Sequence, residues 1–179
     1  MKIYFVTGNI NKLREFEQIL GMKLKSVKMH VDEIQAIEVK KVVEHKTKQA
    51  YEKIGRPVIT EDTGLYLEAW KGLPGALIEW FDKAIGYKNI PNLLEGSRKA
   101  KAQTVIGYFD GKTYENFIGE VFGTISQRSR GKADFGWDLM FVPKGHSKTF
   151  AEMKPEEKNQ ISMRRIALEK FKKFIKKIK

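Results

Sequence analysis

The chain contains no cysteine among its 179 residues, which excludes disulfides and thiolate metal sites. Histidine is nearly as scarce. His30, His45 and His146 are the only three, and their scatter makes no metal-ligand pattern. No apolar run approaches the roughly 20 residues of a membrane span, and the N-terminus lacks the apolar region of a signal peptide. A soluble cytoplasmic protein with no membrane partner is therefore expected. Acidic residues are also in deficit, with 22 Asp plus Glu against 34 Lys plus Arg and a formal net charge of +12. That balance favours polyanionic partners, whether nucleic acid, nucleotides or an acidic surface. Half of the excess lies in Ala151 to Lys179, where 10 basic residues face 4 acidic ones. There is no linker, repeat or low-complexity tract, so one domain over residues 1–179 is expected.

What is present begins with a strand-to-helix junction. Ile3-Tyr4-Phe5-Val6 is a short apolar run of β-formers, followed by Thr7-Gly8-Asn9-Ile10-Asn11-Lys12 and an amphipathic segment to Leu20. Asn9 is a good N-cap. Free N–H groups at a helix start bind anions, and Asn11 and Lys12 add an amide and an ammonium at the same mouth. The spacing of a P-loop is missing, so an ordinary βα turn is the competing reading.

Downstream, Lys23 to Met29 reads as a second strand and Ala36 to Ile54 as a helix stopped by Gly55 and Pro57. Pro57 to Thr60 is a strand entering Glu61-Asp62-Thr63-Gly64, and Leu65 to Trp70 continues it. Helical pieces run to Leu94. Gln103 to Phe109 and Glu115 to Ser126 make a hairpin around Asp110-Gly111. Leu139 to Val142 is a further strand, and a final helix runs from Pro155 to near the C-terminus. The class is α/β with an antiparallel insert, so a mixed sheet is expected.

Four features carry chemistry. Glu61-Asp62 places two carboxylates straight after a buried strand, which suits Mg²⁺ or a general base; a turn that uses Asp and Gly is the bland alternative. Glu33, at another junction, is a third acidic candidate. At 100° per residue, Lys46 falls on the stripe of Val39, Val42, Val43, Ala50 and Ile54. Arg164 falls in the same half-circumference as Ile161, Ala167, Leu168 and Phe171. A cation on a core face must be paired or reach an anion; otherwise it snorkels past the core edge. Phe135-Gly136-Trp137-Asp138 combines aromatic faces with a carboxylate that packing does not explain.

In this order and spacing, the pieces resemble the inosine triphosphate pyrophosphatase family over essentially the whole chain. The resemblance rests on Thr7-Gly8-Asn9 with Lys12 and Glu15, Glu61-Asp62-Thr63-Gly64, Gly72-Leu73-Pro74-Gly75, Phe135-Gly136-Trp137-Asp138, and Ala151-Glu152-Met153 with Glu157-Lys158-Asn159 and Ser162. It implies an elongated mixed β-sheet with flanking helices, two lobes around a central nucleotide cleft, and a homodimer. It implies Mg²⁺-dependent hydrolysis of ITP, dITP and XTP to the monophosphate and pyrophosphate, with no specific nucleic acid partner. By position, Thr7, Gly8, Asn9, Asn11 and Lys12 would hold phosphates, with Lys12 and Asp62 catalytic. Glu33 and Asp62 would bind the metal. Thr63 and Lys46 would place the triphosphate. Phe135 would stack on the base, Gly136, Trp137 and Asp138 would line its pocket with Met163 at the base site, and Lys158 and Arg164 would reach the base or the phosphates from the last helix. Met163 stands where the family usually has a base-reading histidine, and Leu77 and Glu79 stand where it often has Tyr and a cation. The rival readings are a related pyrophosphatase for modified pyrimidines and a non-catalytic nucleic-acid-binding module.

Overall fold

The computed structural model describes residues 2–132 and 136–178. Its frame is one mixed sheet in the order β2-β1-β3-β5-β6-β7, with β4 added to β3. The strands are β1 (Tyr4–Val6), β2 (Lys25–Val27), β3 (Val58–Leu67), β4 (Pro74–Gly75), β5 (Lys99–Phe109), β6 (Tyr114–Ile125) and β7 (Phe141–Pro143). β1 runs parallel to β2 and β3, and the remaining pairings are antiparallel. The helices are α1 (Ile10–Leu20), α2 (Val39–Ile54), α3 (Ile78–Ile85), α4 (Ile90–Leu93), α5 (Pro155–Ile161) and α6 (Met163–Lys177).

Alternation along β3 decides which helix meets which residue. Ile59 shares a core with Phe5, Phe16, Leu168 and Phe171, on the face covered by α1 and α6. Val58 packs with Ala50, and the Thr60 hydroxyl meets that of Thr47 at 2.6 Å, on the face covered by α2. Farther along, Leu65 and Leu67 enter a third cluster with Ile78, Ile90, Trp137, Phe150 and Met163. α6 lies directly on the sheet because Gly119 of β6 has no side chain. A Cβ there would sit 1.8 Å from the Met163 carbonyl oxygen.

A gap in the sheet prepares the site. β1 pairs with β3 only at Tyr4–Val58 and Phe5–Ile59. β4 takes up the same edge at Leu65–Gly75 and Tyr66–Pro74. Between them, the β3 edge at residues 60–64 faces the loop that leaves β1.

Several boundaries differ from the sequence reading. Glu61-Asp62-Thr63-Gly64 lies in mid-strand rather than at a strand end, because β5 pairs continuously along it. β3 stops at Leu67, and Trp70 is in a turn. The expected single final helix is two. Ser162 is extended (φ −70°, ψ 152°) and its side chain accepts from the Arg165 N–H, so it ends α5 and caps α6. β2 and α2 are shorter than expected, and β7 begins at Phe141 because Gly136–Leu139 forms a 3₁₀ turn. The hairpin stands as read, with the Asp110 carboxylate accepting from the Lys112 and Thr113 N–H groups.

Candidate active site

The loop after β1 is ordered by its own polar side chains. Asn9 is extended and its side chain accepts from the N–H groups of Asn11 and Lys12. The Thr7 hydroxyl accepts from the Asn9 N–H at 3.1 Å. These two residues therefore shape the mouth, and Gly8 is exposed in it. The turn delivers Lys12 to the open edge of β3. Its Nζ lies 2.8 Å from Glu61 Oε2 and 3.7 Å from Asp62 Oδ1.

Glu61 and Asp62 are neighbours in sequence and point to opposite faces of the sheet. Glu61 is buried beneath α6. Its Oε1 accepts from Arg164 Nε at 3.2 Å and Nη2 at 3.0 Å. Lys12 pairs with the other oxygen. Burial pushes the Glu61 carboxyl up, but Arg164 and Lys12 outweigh it and hold it down at about 2. The guanidinium also binds Glu15. Burial opposes its charge, and Glu61 and Glu15 more than restore it. Both partners are needed, because an unpaired charge at this depth costs several kcal/mol.

The same network reaches the 136–139 turn. Lys158 Nζ lies 2.6 Å from Asp138 Oδ2 and 3.4 Å from Glu15 Oε1. Burial raises the Asp138 carboxyl, and Lys158 offsets this only in part. Asp138 Oδ1 is buried without a hydrogen bond. An acceptor of this kind, beside the fully buried Trp137, is suited to a donor brought by a ligand. Phe135 lies outside the described residues.

Asp62 belongs to the α2 face and keeps 20% side-chain exposure. Lys46 reaches it from α2, with Nζ 3.5 Å from Oδ2, and binds Glu33 as well. Burial lowers the Lys46 pKa, and Asp62 and Glu33 raise it by more. The core-face lysine is thus a paired cation at a cleft edge. Thr63 is buried in β3, and its N–H donates to Asp62 Oδ1 at 2.8 Å.

The structure brings together Lys12, Glu33, Lys46, Asp62 and Thr63 at one end, and Trp137, Asp138, Lys158 and Arg164 at the other. Met163 is fully buried in the core cluster of Leu65, Trp137 and Phe150. Glu79 pairs with Lys83 at 2.9 Å on the surface of α3. Two residues were undervalued from sequence. Glu61 and Glu15 anchor Arg164, and strand alternation would have separated Glu61 from Asp62. Among the described residues, no group of three His, Cys, Asp or Glu side chains is placed to hold a metal.

Comparison with known proteins follows this geometry. A dITP/XTP pyrophosphatase of Methanopyrus kandleri is 40% identical over 177 residues, spanning 96% of this chain and 94% of its own. An inosine triphosphate pyrophosphatase of Yarrowia lipolytica is 41% identical over 182 residues, spanning 98% and 96%. The solved structure of a Ham1 protein from Coxiella burnetii superposes with a TM-score of 0.86 at 25% identity, over 99% of this chain and all of that one. The Ham1 family model matches residues 3–174, and the chain belongs to the Ham1 family.

Proposed function

We propose that this protein hydrolyses ITP, dITP and XTP between the α and β phosphates, releasing the nucleoside monophosphate and pyrophosphate and so clearing these purines from the nucleotide pool. The observation that carries the reading is the convergence of Lys12 and Lys46, from separate elements, on Asp62 at the open edge of β3. Cleavage of a phosphoanhydride needs positioned charge more than covalent chemistry. Two ammonium groups supply it on the protein side.

Glu61 and Asp62 divide the acidic work. Both Glu61 oxygens are engaged by Arg164 and Lys12. Asp62 is the one of the pair that a water can reach, and it is our choice for orienting or deprotonating the nucleophile. Glu33 and Asp62 both bind the Lys46 ammonium, so their oxygens address one region. An oxygen-only pair fits Mg²⁺, which retains waters and takes further ligands from phosphate. When bound, Mg²⁺ would neutralise charge on the triphosphate. At the other end, Asp138 and Lys158 offer an acceptor and a donor to a 6-keto purine, with Trp137 as the floor. Selection by buried polar groups is strong, because an amino purine leaves them unpaired. We further propose a cytoplasmic homodimer. Among the described residues, no helix is long and apolar enough to cross a membrane.

The test is a panel of ITP, dITP, XTP, ATP, GTP and modified pyrimidine triphosphates, each with Mg²⁺ and with EDTA. The reading requires turnover of the first three at least tenfold above the rest, lost with EDTA. Preference for a pyrimidine would overturn it.

A further inference from the structure

The 136–139 turn is seated against a residue that no sequence motif identified. Tyr87 begins a single 3₁₀ turn, Tyr87–Asn89, just after α3. A Cβ built on Gly136 would lie 2.4 Å from Tyr87 Cε2, 2.9 Å from Cζ and 3.1 Å from the phenolic oxygen. The Gly136 backbone therefore lies flush on the tyrosine ring, and glycine is the residue that lets it do so. The ring is itself fixed. The Tyr87 N–H donates to Asp82 Oδ1 at 3.0 Å, and the side chain packs on the core cluster of Ile78, Ile90 and Trp137. Burial and then Asp82 push the phenol up to about 12, so it stays neutral through the working range.

We infer that Tyr87 is a positioning residue for the base end of the site, an inference that rests on the pyrophosphatase reading above. It acts through Gly136. The next two residues of that turn are Trp137 and Asp138, both buried, and Lys158 is ion-paired with Asp138. A shift of the turn on its seat moves the base-facing groups relative to Lys158 first, while Lys12 is linked to the turn only at a distance, through Glu15, Arg164 and Glu61, and Lys46 and Asp62 stand on other elements. Displacing reactive groups by an ångström through a distant contact is costly in enzymes. Here the cost falls on binding and selection rather than on the bond-breaking step.

The test pairs a clash with its relief. Gly136→Ala drives a methyl group into the ring, and Tyr87→Ala makes room for it. The measurements are kcat and KM for ITP and the ITP-to-ATP ratio of kcat/KM, with thermal unfolding recorded for each variant. Gly136→Ala should raise KM about tenfold and lower the ratio about fivefold, with kcat within threefold of wild type. The double variant Gly136→Ala/Tyr87→Ala should recover at least half of the lost ratio on the logarithmic scale. Tyr87→Phe keeps the ring and should match wild type. Equal losses for ITP and ATP in Gly136→Ala, or no recovery in the double variant, overturn the inference. If Gly136→Ala does not fold, Tyr87→Ala alone decides: an unchanged ITP-to-ATP ratio rejects the role. Absence of ITP turnover by the wild-type protein would instead reject the functional reading beneath it.

Discussion

Two carboxylates joined by one peptide bond do opposite jobs here. Glu61 is fully enclosed, clamped by Arg164 and approached by Lys12, while Asp62 sits at an open edge between Lys12 and Lys46. The alternation of β3 sends one side chain under α6 and the other toward α2. The buried carboxylate is part of what holds α6 and α1 to the sheet, because Arg164 ties Glu61 to Glu15. The open one instead serves as counter-charge to Lys12 and Lys46 at the cleft edge. Charge in an active site can therefore be separated into a component that fixes geometry and a component that meets substrate. Sequence adjacency gives no hint of which is which.

The contrast can be broken at several points. The largest effect belongs to Asp62→Asn. It should lower ITP turnover by about 10²–10⁴-fold, the usual worth of a positioned acid or base. Thermal unfolding should change less than for a buried ion-pair variant, because Glu33 still pairs with Lys46 and asparagine is isosteric. Next comes Glu61→Gln, which should destabilise the fold by about 3–5 kcal/mol by leaving Arg164 short of a counter-charge in the interior. Urea unfolding measures it.

The same residue predicts the acid limb of stability. Its carboxyl is held at about 2 in the fold against 4.5 for an ordinary glutamate. That difference is worth about 3 kcal/mol. The depressed value means the contribution is fully present above pH 4.5 and is lost as pH falls toward 2. Glu61→Gln should flatten the curve in that window. A smaller effect follows at Lys46. Lys46→Met should raise KM for ITP about tenfold, or about 1.4 kcal/mol of binding, through the loss of one ammonium. The smallest is at Met163. Met163→Leu should change stability by less than about 1.5 kcal/mol and leave the ITP-to-ATP ratio within twofold, since leucine keeps the apolar bulk that packs with Leu65, Trp137 and Phe150.

Much of this was legible in the residues. Asn9 marks the start of α1 by cap chemistry, and Gly55 marks the end of α2. Lys46 and Arg164 stood out because a 3.6-residue period placed them on apolar stripes, where a cation demands a partner. Both have one. What periodicity hid was the break at Ser162, because the apolar pattern runs on through a residue whose own backbone is extended. Only cap chemistry at Ser162 signals the new start. The mid-strand place of Glu61–Gly64 was hidden for a different reason. Asp and Gly are turn formers locally, and the long ladder with β5 overrides that preference. Tyr87 carried no signal, since a contact to Gly136 made across 49 positions leaves no local trace.

The most direct check on the whole account is phosphorus NMR of the products formed from ITP and Mg²⁺ by the wild-type protein. The proposed role of Lys12, Lys46 and Asp62, which converge at the open edge of β3, predicts IMP and pyrophosphate in equal amounts. IDP with inorganic phosphate, or unreacted ITP, would contradict it.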